Sequence, residues 1–423
     1  MITTILIILG LLLLTVLGAP LFIIISSVAL LAFHAAQIDS SAVIIELYRL
    51  TSQPVFLAIP LFTFAGYLLA ESNTPKRLFN LSRHLLGWLP AGLALVALVS
   101  LALFTAFTGA SGVTIIALGG LLFPMMLQEE YPEKFTLGLI TASGNLGLLF
   151  PPSLPMILYG LVAQVSIAKL FIGGIIPGVL MIVLLSLYAI FFYRKKIRGK
   201  ERFKPTRAQL WRAIKESAFE IPLPVLIVGG IYGGWFTATD AAAVTAIYVF
   251  VIEVLIYKDI SFFKDLPQII KQSMIMVGGI IVILAAALGL ANYLIDAQIP
   301  AKILAAMQHF ISSPFVFLLF LNIFLLIVGA LMDIFSAIMV IVPLLIPIAN
   351  SFGINPVHLG IIFMVNLGIG YSTPPIGMNL FIASMRFDKS VTFLYRAALP
   401  FLLILLIALF LITYIPQLTL LFL

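Results

Sequence analysis

The chain has 423 residues, of which 63% are hydrophobic and 9% charged, with a formal net charge of +7 and no cysteine. A soluble chain carries about 25% charged residues, so a water-soluble globular protein is excluded, and disorder with it, because disordered chains are poor in apolar residues. The missing cysteine removes disulfide frameworks, thiol nucleophiles and cysteine-held metal or iron–sulfur centres.

Apolar stretches near the roughly 20 residues that a bilayer core requires recur along the whole length. Spans are predicted near 3–33 (bent or split at Gly18-Ala19-Pro20), 54–70, 87–107, 135–150, 155–192, 221–236, 240–257, 274–294, 314–331, 358–370 and 392–418. Two more apolar stretches, 109–127 and 329–350, are dense in Gly, Ser, Thr or Pro and are expected to be irregular. Continuous apolar runs select helices over a barrel, whose strands would alternate. The first run has no basic n-region and exceeds a signal h-region, so it is expected to be a mature span.

Basic residues concentrate between Arg194 and Lys215, and the positive-inside rule makes that stretch a cytoplasmic loop rather than a nucleic-acid arm. Trp211 among charges at helical spacing predicts an amphipathic helix on the inner leaflet. The loop Lys76–Arg83 is placed on the same side. Most acidic residues lie at loop edges, Glu220 and Asp259 among them. Asp333 is the strongest intramembrane carboxylate, Asp240 reads as a helix cap behind Thr237, and Glu253 as an interfacial residue. His34, His84, His309 and His358 have no metal-ligand spacing and also read as interfacial. Neither a P-loop nor a nucleotide fingerprint occurs, so ATP hydrolysis is not expected. A membrane enzyme would need acidic or His clusters near an interface, which the sequence does not have, so no enzyme is expected. Paired glycines at 119–120, 173–174, 229–230, 233–234 and 278–279 are expected at helix contacts.

The second half of the chain matches the first at an offset of about 220 residues. Asn145-Leu146-Gly147 before Pro151-Pro152 resembles Asn366-Leu367-Gly368 before Pro374-Pro375, and Gly109 through Pro124 lines up with Gly329 through Pro343. Proline removes a backbone donor and glycine frees the chain from helical dihedrals. Helix breaks at corresponding places in two halves point to a transporter's binding site. Around them lies a polar, almost uncharged centre: Thr105, Thr108, Ser111, Thr114, Ser143, Asn145 and Ser153, then Asn366, Ser372, Thr373 and Asn379. Hydroxyls and freed carbonyls suit a dehydrated Na⁺, and half-helix N-termini suit an anion.

The blocks Phe107–Gly112, Asn145–Ser153, Phe171–Gly178, Thr237–Val244 and Asn366–Leu380, in this order, resemble the large membrane subunit of tripartite ATP-independent periplasmic (TRAP) transporters over nearly the whole chain. Ala238-Thr239-Asp240 stands where that family often has Pro-Thr-Glu. The resemblance implies an all-α polytopic membrane protein with about 11 transmembrane helices, two re-entrant hairpins and two broken helices in inverted repeats. It implies a Na⁺-driven importer of a small organic anion, such as a C4-dicarboxylate or sialic acid, in the bacterial inner membrane. Transport would be an elevator motion, with a small four-helix membrane subunit and a soluble periplasmic substrate-binding protein as partners. Scaffold regions would be 1–86 and 166–306, transport regions 87–165 and 307–390, and 391–423 a terminal span. One sodium site would use Thr108, Ser111, Gly147, Phe150 and Ser153; the other would use Gly329, Gly370, Thr373 and Ile376. Expected substrate contacts are Asn145, Asp333, Asn366 and Asn379. The alternative within transport is a stand-alone divalent-anion/Na⁺ symporter.

Overall fold

Caps, glycines and prolines divide the apolar runs into helices in the computed structural model of the chain. The structure describes residues 19–39, 54–196, 205–308 and 313–423, with Gly10, Leu13, Ser41, Ile45 and Tyr48 as isolated earlier positions. The start of the first expected span, the basic residues Arg198, Lys200, Arg202 and Lys204, and His309 lie outside the described residues. The first helix, α1 (Leu21–Ala35), begins behind Pro20. It is followed by α2 (Ala58–Glu71) and the amphipathic α3 (Thr74–Leu86).

A helical hairpin follows, α4 (Gly92–Thr108) and α5 (Ser111–Gln128), and then a broken helix, α6 (Glu133–Ser143) and α7 (Leu154–Ala163); α6 with the turn that continues it to Leu149 is bent by 47° from α7. Next come α8 (Ile167–Lys196), α9 (Arg207–Glu216), α10 (Pro222–Tyr232), α11 (Ala238–Ile256), α12 (Leu266–Asp296) and α13 (Ile299–Gln308). A second hairpin, α14 (Pro314–Leu331) and α15 (Ile334–Ser351), precedes a second broken helix, α16 (Pro356–Gly370) and α17 (Met378–Phe387). The chain closes with α18 (Val391–Tyr414) and α19 (Gln417–Leu420). Hairpin followed by broken helix therefore occurs twice.

Among the described residues, seven helices are long and apolar enough to cross a membrane, or eight if the bent pair α6–α7 counts as one span. That is fewer than the expected count, because α1, α2, α4, α10 and α16 are shorter apolar helices. The stretch 155–192 is not one span. Gln164, at φ +54°, ends α7 and α8 starts at Ile167. The two stretches expected to be irregular are helical, and only Gly109-Ala110 and Met332-Asp333 leave the helix. Glycine, serine and threonine lower helix propensity in water, but in lipid an open backbone group costs more than the propensity it would recover.

The two broken helices run antiparallel. Lys389, just after α17, pairs with Glu133 at the start of α6 at 2.6 Å, while the Tyr159 hydroxyl of α7 donates to the Pro356 carbonyl at the start of α16 at 2.8 Å. Phe135 of α6 stacks on Phe192 of α8, centroids 4.3 Å apart, and meets Phe401 of α18 at 5.3 Å. Elsewhere α12 packs against α1, α2 and α15.

The expected amphipathic helix is α9, with Trp211 exposed, packed on α3. At this end lies a cluster of ion pairs among the described residues. Arg77 of α3 binds Asp259 at 2.6 Å, Glu253 at 2.8 Å and Glu220, with the Tyr257 ring 3.9 Å from its guanidinium carbon. Thr74 donates to Glu253 at 2.9 Å. Glu253, close to the end of α11, is thus a buried partner of Arg77, and Glu220 is buried with it. Burial pushes the Glu220 carboxyl up against the pull of Arg77, whereas Asn73 and Arg77 outweigh burial at Asp259 and hold it below its usual range. His358 is likewise buried, its ring 2.8 Å from the Thr419 hydroxyl. Asp240 does cap α11, in a reciprocal box with Thr237.

One cation serves three carboxylates in this cluster, so removing it leaves buried negative charge without a countercharge. Arg77→Met should cost about 3–5 kcal/mol, read as a lower Tm in detergent. Arg77→Lys should recover only part of that, because a point charge cannot reproduce the planar fork. A Tm of Arg77→Met equal to that of the parent would show that the cluster contributes nothing.

Candidate ion and substrate site at the paired helix breaks

Each hairpin tip is pressed against the break of its own half, and glycine makes both approaches possible. A Cβ on Gly147 would overlap the Ala102 carbonyl oxygen and the Ala106 nitrogen of α4. A Cβ on Gly370 would stand 2.6 Å from the Gly329 Cα of α14. The pairs Ala106/Gly147 and Gly329/Gly370 are both spaced by 41 residues, and the Pro-Pro pairs by 223. The Asn-Leu-Gly motifs do not share that register. Asn145 follows the end of α6, while Asn366 lies inside α16.

At the first break the chain turns from α6 through a short 3₁₀ turn, Leu146–Leu149, to the cis pair Pro151-Pro152. The Thr105 hydroxyl meets the Gly144 carbonyl and the Thr114 hydroxyl, each at 2.7 Å. Thr108 donates to the Phe104 carbonyl at 3.0 Å, and Ser111 donates to Asn379 Oδ1 at 2.8 Å. Ser111, as donor, keeps its lone pairs free. The Ser143 hydroxyl, the Ser153 hydroxyl and Asn145 Oδ1 are buried without a partner. Ser100, Thr136, Thr141, Thr245 and Asn366 also have buried oxygens without a partner; those at the first break are of the neutral, hard kind that a cation accepts. The Phe150 ring lies against Gly178 of α8.

At the second break, Gly377, at φ +43°, donates its N–H to the Ala330 carbonyl of the second hairpin at 3.0 Å, just past the cis pair Pro374-Pro375. The Tyr371 hydroxyl accepts from the Ile334 N–H. Thr373 donates to the Ile369 carbonyl at 2.9 Å, which turns its hydroxyl back on its own helix. Pro374, Pro375 and Ile376 are exposed, in contrast to the buried first break.

Of the nine residues expected at the two sodium sites, Gly147, Gly329 and Gly370 make the close hairpin–break approaches, Thr108 and Ser111 flank the first tip, and Phe150, Ser153, Thr373 and Ile376 belong to the breaks. The four expected substrate contacts divide. Asn145 donates to the Gly368 carbonyl and Asn379 joins Ser111, so both lie between the halves. Asp333 caps α15 through the Phe335 and Ser336 N–H groups, both at 3.0 Å. Asn366 donates to Asn322 Oδ1 at 2.7 Å, and Asn322 donates to Thr413 at 3.1 Å, a buried chain joining α16, α14 and α18. Asn322 was not among the expected polar residues, since a lone asparagine in an apolar run has no motif around it. Among the described residues no cluster of three His, Asp or Glu side chains could hold a metal. Beside the first tip, a cavity of about 230 Å³ is lined by Gly66, Tyr67, Glu71, Thr108 and Gln272 among others.

Two helical hairpins and two antiparallel broken helices that meet at uncharged oxygen-rich breaks define a membrane transporter. Residues 5–418 match the family model of the tripartite ATP-independent periplasmic transporter DctM component, and the chain belongs to that family. It is a multi-pass α-helical membrane permease and not an enzyme. The C4-dicarboxylate TRAP transporter large permease protein DctM of Pseudomonas aeruginosa is 35% identical over 401 residues, 93% of this chain and 91% of that protein. The isethionate TRAP transporter permease protein DctMQ of Oleidesulfovibrio alaskensis is 34% identical over 414 residues, 96% of this chain and 64% of that longer protein. In fold, the chain is similar to the crystal structure of the Alcanivorax borkumensis YdaH transporter, with a TM-score of 0.64 at 15% identity over 85% of this chain and 84% of that one.

If the glycine contacts hold the breaks in place, Gly370→Ala should reduce uptake at least tenfold, because the clash is backbone on backbone. Gly278→Ala is the control, since Gly278 and Gly279 face open space and not the helix contact expected of them. Equal uptake by both variants in proteoliposomes would remove the requirement for close approach.

Proposed function

We propose that the chain is the permease of a Na⁺-coupled importer of a small organic anion across a bacterial inner membrane. The observation that carries this reading is the pairing of orphaned buried oxygens at the first break with a second, more open break of the same construction. Thr108, Ser111, Ser153 and the carbonyls of Gly147 and Phe150 would hold one Na⁺. Thr373 and the carbonyls of Gly329, Gly370 and Ile376 would hold the other. Asn145 and Asn379, lying between the halves, are the better placed of the substrate contacts, because Asp333 spends its carboxylate on the α15 cap and Asn366 faces Asn322 of α14, although its Oδ1, like that of Asn145, has no partner. The antiparallel broken helices support an inverted repeat. In that arrangement, residues 87–165 and 307–390 would move as a transport region against a scaffold of 1–86 and 166–306.

Two relatives of nearly equal identity carry names for a C4-dicarboxylate and for isethionate. Both are small acids, so the class of solute is supported while its identity is left to the partner that delivers it. Family membership supports a periplasmic substrate-binding protein and a small membrane subunit as partners.

The test is uptake of a radiolabelled C4-dicarboxylate into proteoliposomes, with both partners and a Na⁺ gradient present or absent. Uptake should require all of them, and Thr373→Ala should raise the Na⁺ concentration for half-maximal uptake several-fold, roughly the loss of one oxygen ligand. Uptake by the chain alone would favour the stand-alone symporter, and uptake indifferent to Na⁺ would defeat the coupling.

A further inference from the structure

The hydrogen bond between Ser111 and Asn379 joins the first hairpin to the helix behind the second break, and it is one of a row. Ile382 Cδ1 fills the space over Gly112, where a Cβ would come within 2.5 Å. Arg386 Nε donates to the Ile116 carbonyl at 3.0 Å, inside the π-helical turn Ile115–Gly119, and its Nη2 occupies the place of a Cβ on Gly120. Phe387 packs on Phe123, centroids 5.1 Å apart. Positions 379, 382 and 386 recur at i, i+3 and i+7, so they share one face of α17. The glycines of α5 form the groove that receives them.

We propose that Arg386, with Ile382 and Asn379, is a positioning device that clamps the first hairpin to α17, so that the state of the second break sets the state of the first hairpin's tip. The other end of the link is equally defined. Gly377 is bonded to the second hairpin, and the Asn379 N–H donates to the Tyr371 carbonyl at 2.9 Å. Any ligand that reorders residues 371–377 therefore acts on the base of α17. The arrangement is reciprocal, because α7, behind the first break, packs on α15 of the second hairpin. Each hairpin's return arm is held by the other half's post-break helix, which provides the two-state link that coupling between sites requires. The Na⁺ part of the inference rests on the function proposed above; the clamp itself does not.

The chain has no native cysteine, so Ala110→Cys places a single reporter thiol at the first tip. Its rate of labelling by a membrane-impermeant maleimide is measured in the chain reconstituted in liposomes. Without Na⁺, Arg386→Leu should speed labelling about tenfold, the scale of one hydrogen bond from a charged donor. Gly120→Ala should do the same by displacing the guanidinium. The double variant should be no faster than either single one, since both remove one contact, and Arg386→Lys should keep most of the protection. Unchanged rates in both single variants, or effects that multiply, would overturn the clamp. Should Arg386→Leu fail to give a monodisperse elution profile, Gly120→Ala and Arg386→Lys still decide the matter. Na⁺ should then slow labelling in the parent and not in Arg386→Leu. Equal slowing in both would overturn the link through α17. No Na⁺ effect in the parent, with the Arg386 effect intact, would count against the Na⁺ reading alone and support the clamp.

Discussion

A peptide group that leaves the helical ladder inside a bilayer has no water to turn to, and this constraint organises both halves of the molecule. Several of the opened groups find their partners elsewhere in the fold. The Gly377 N–H reaches the Ala330 carbonyl, the Gly144 carbonyl takes the Thr105 hydroxyl, and the Gly368 carbonyl takes the Asn145 amide. The Ser372 hydroxyl donates to the Thr141 carbonyl of the opposite half at 3.1 Å. Satisfying the breaks thus ties the halves together, and the oxygens left over have the character of ligands.

The two breaks are built alike but set differently. The first is enclosed on every side, with Ser153 and Leu154 buried, while Ile376 at the second is 47% exposed. A cation at the first break would be surrounded by protein oxygens, whereas one at the second would sit close to whatever lies outside. Glycine governs both: the helix–hairpin approach at Gly147 and Gly370 brings backbone against backbone, and no larger residue fits there.

The breaks were legible in the sequence because each joins a Pro-Pro pair to nearby glycines, whereas the single prolines Pro124, Pro177, Pro343, Pro347 and Pro400 lie inside helices. The register of the repeat was less so. Asn-Leu-Gly occurs twice, yet α6 ends before its asparagine and α16 continues through its own, so the motif marks similar chemistry at positions two residues out of step. The hairpin arms looked irregular because their Gly, Ser and Thr were weighed by their preferences in water. What Glu253 and His358 bind was not legible, for a different reason. Their partners, Arg77 and Thr419, stand 176 and 61 residues away, and nothing near either residue announces them.

Charge is distributed so that the expensive groups never have to change partners. The buried carboxylates cluster around Arg77, beside the amphipathic helices, where one fixed cation and several hydroxyls hold them. The breaks contain hydroxyls, amides and carbonyls instead. A buried carboxylate whose cation departs is left with a penalty of several kcal/mol, which would hold a carrier to its loaded state. A neutral oxygen loses far less when its cation leaves, of the order of one unmade hydrogen bond, about 1–3 kcal/mol. Sites that must be filled on one side of a membrane and emptied on the other are better served by the second kind of ligand, and that is the kind found at Ser143, Asn145 and Ser153.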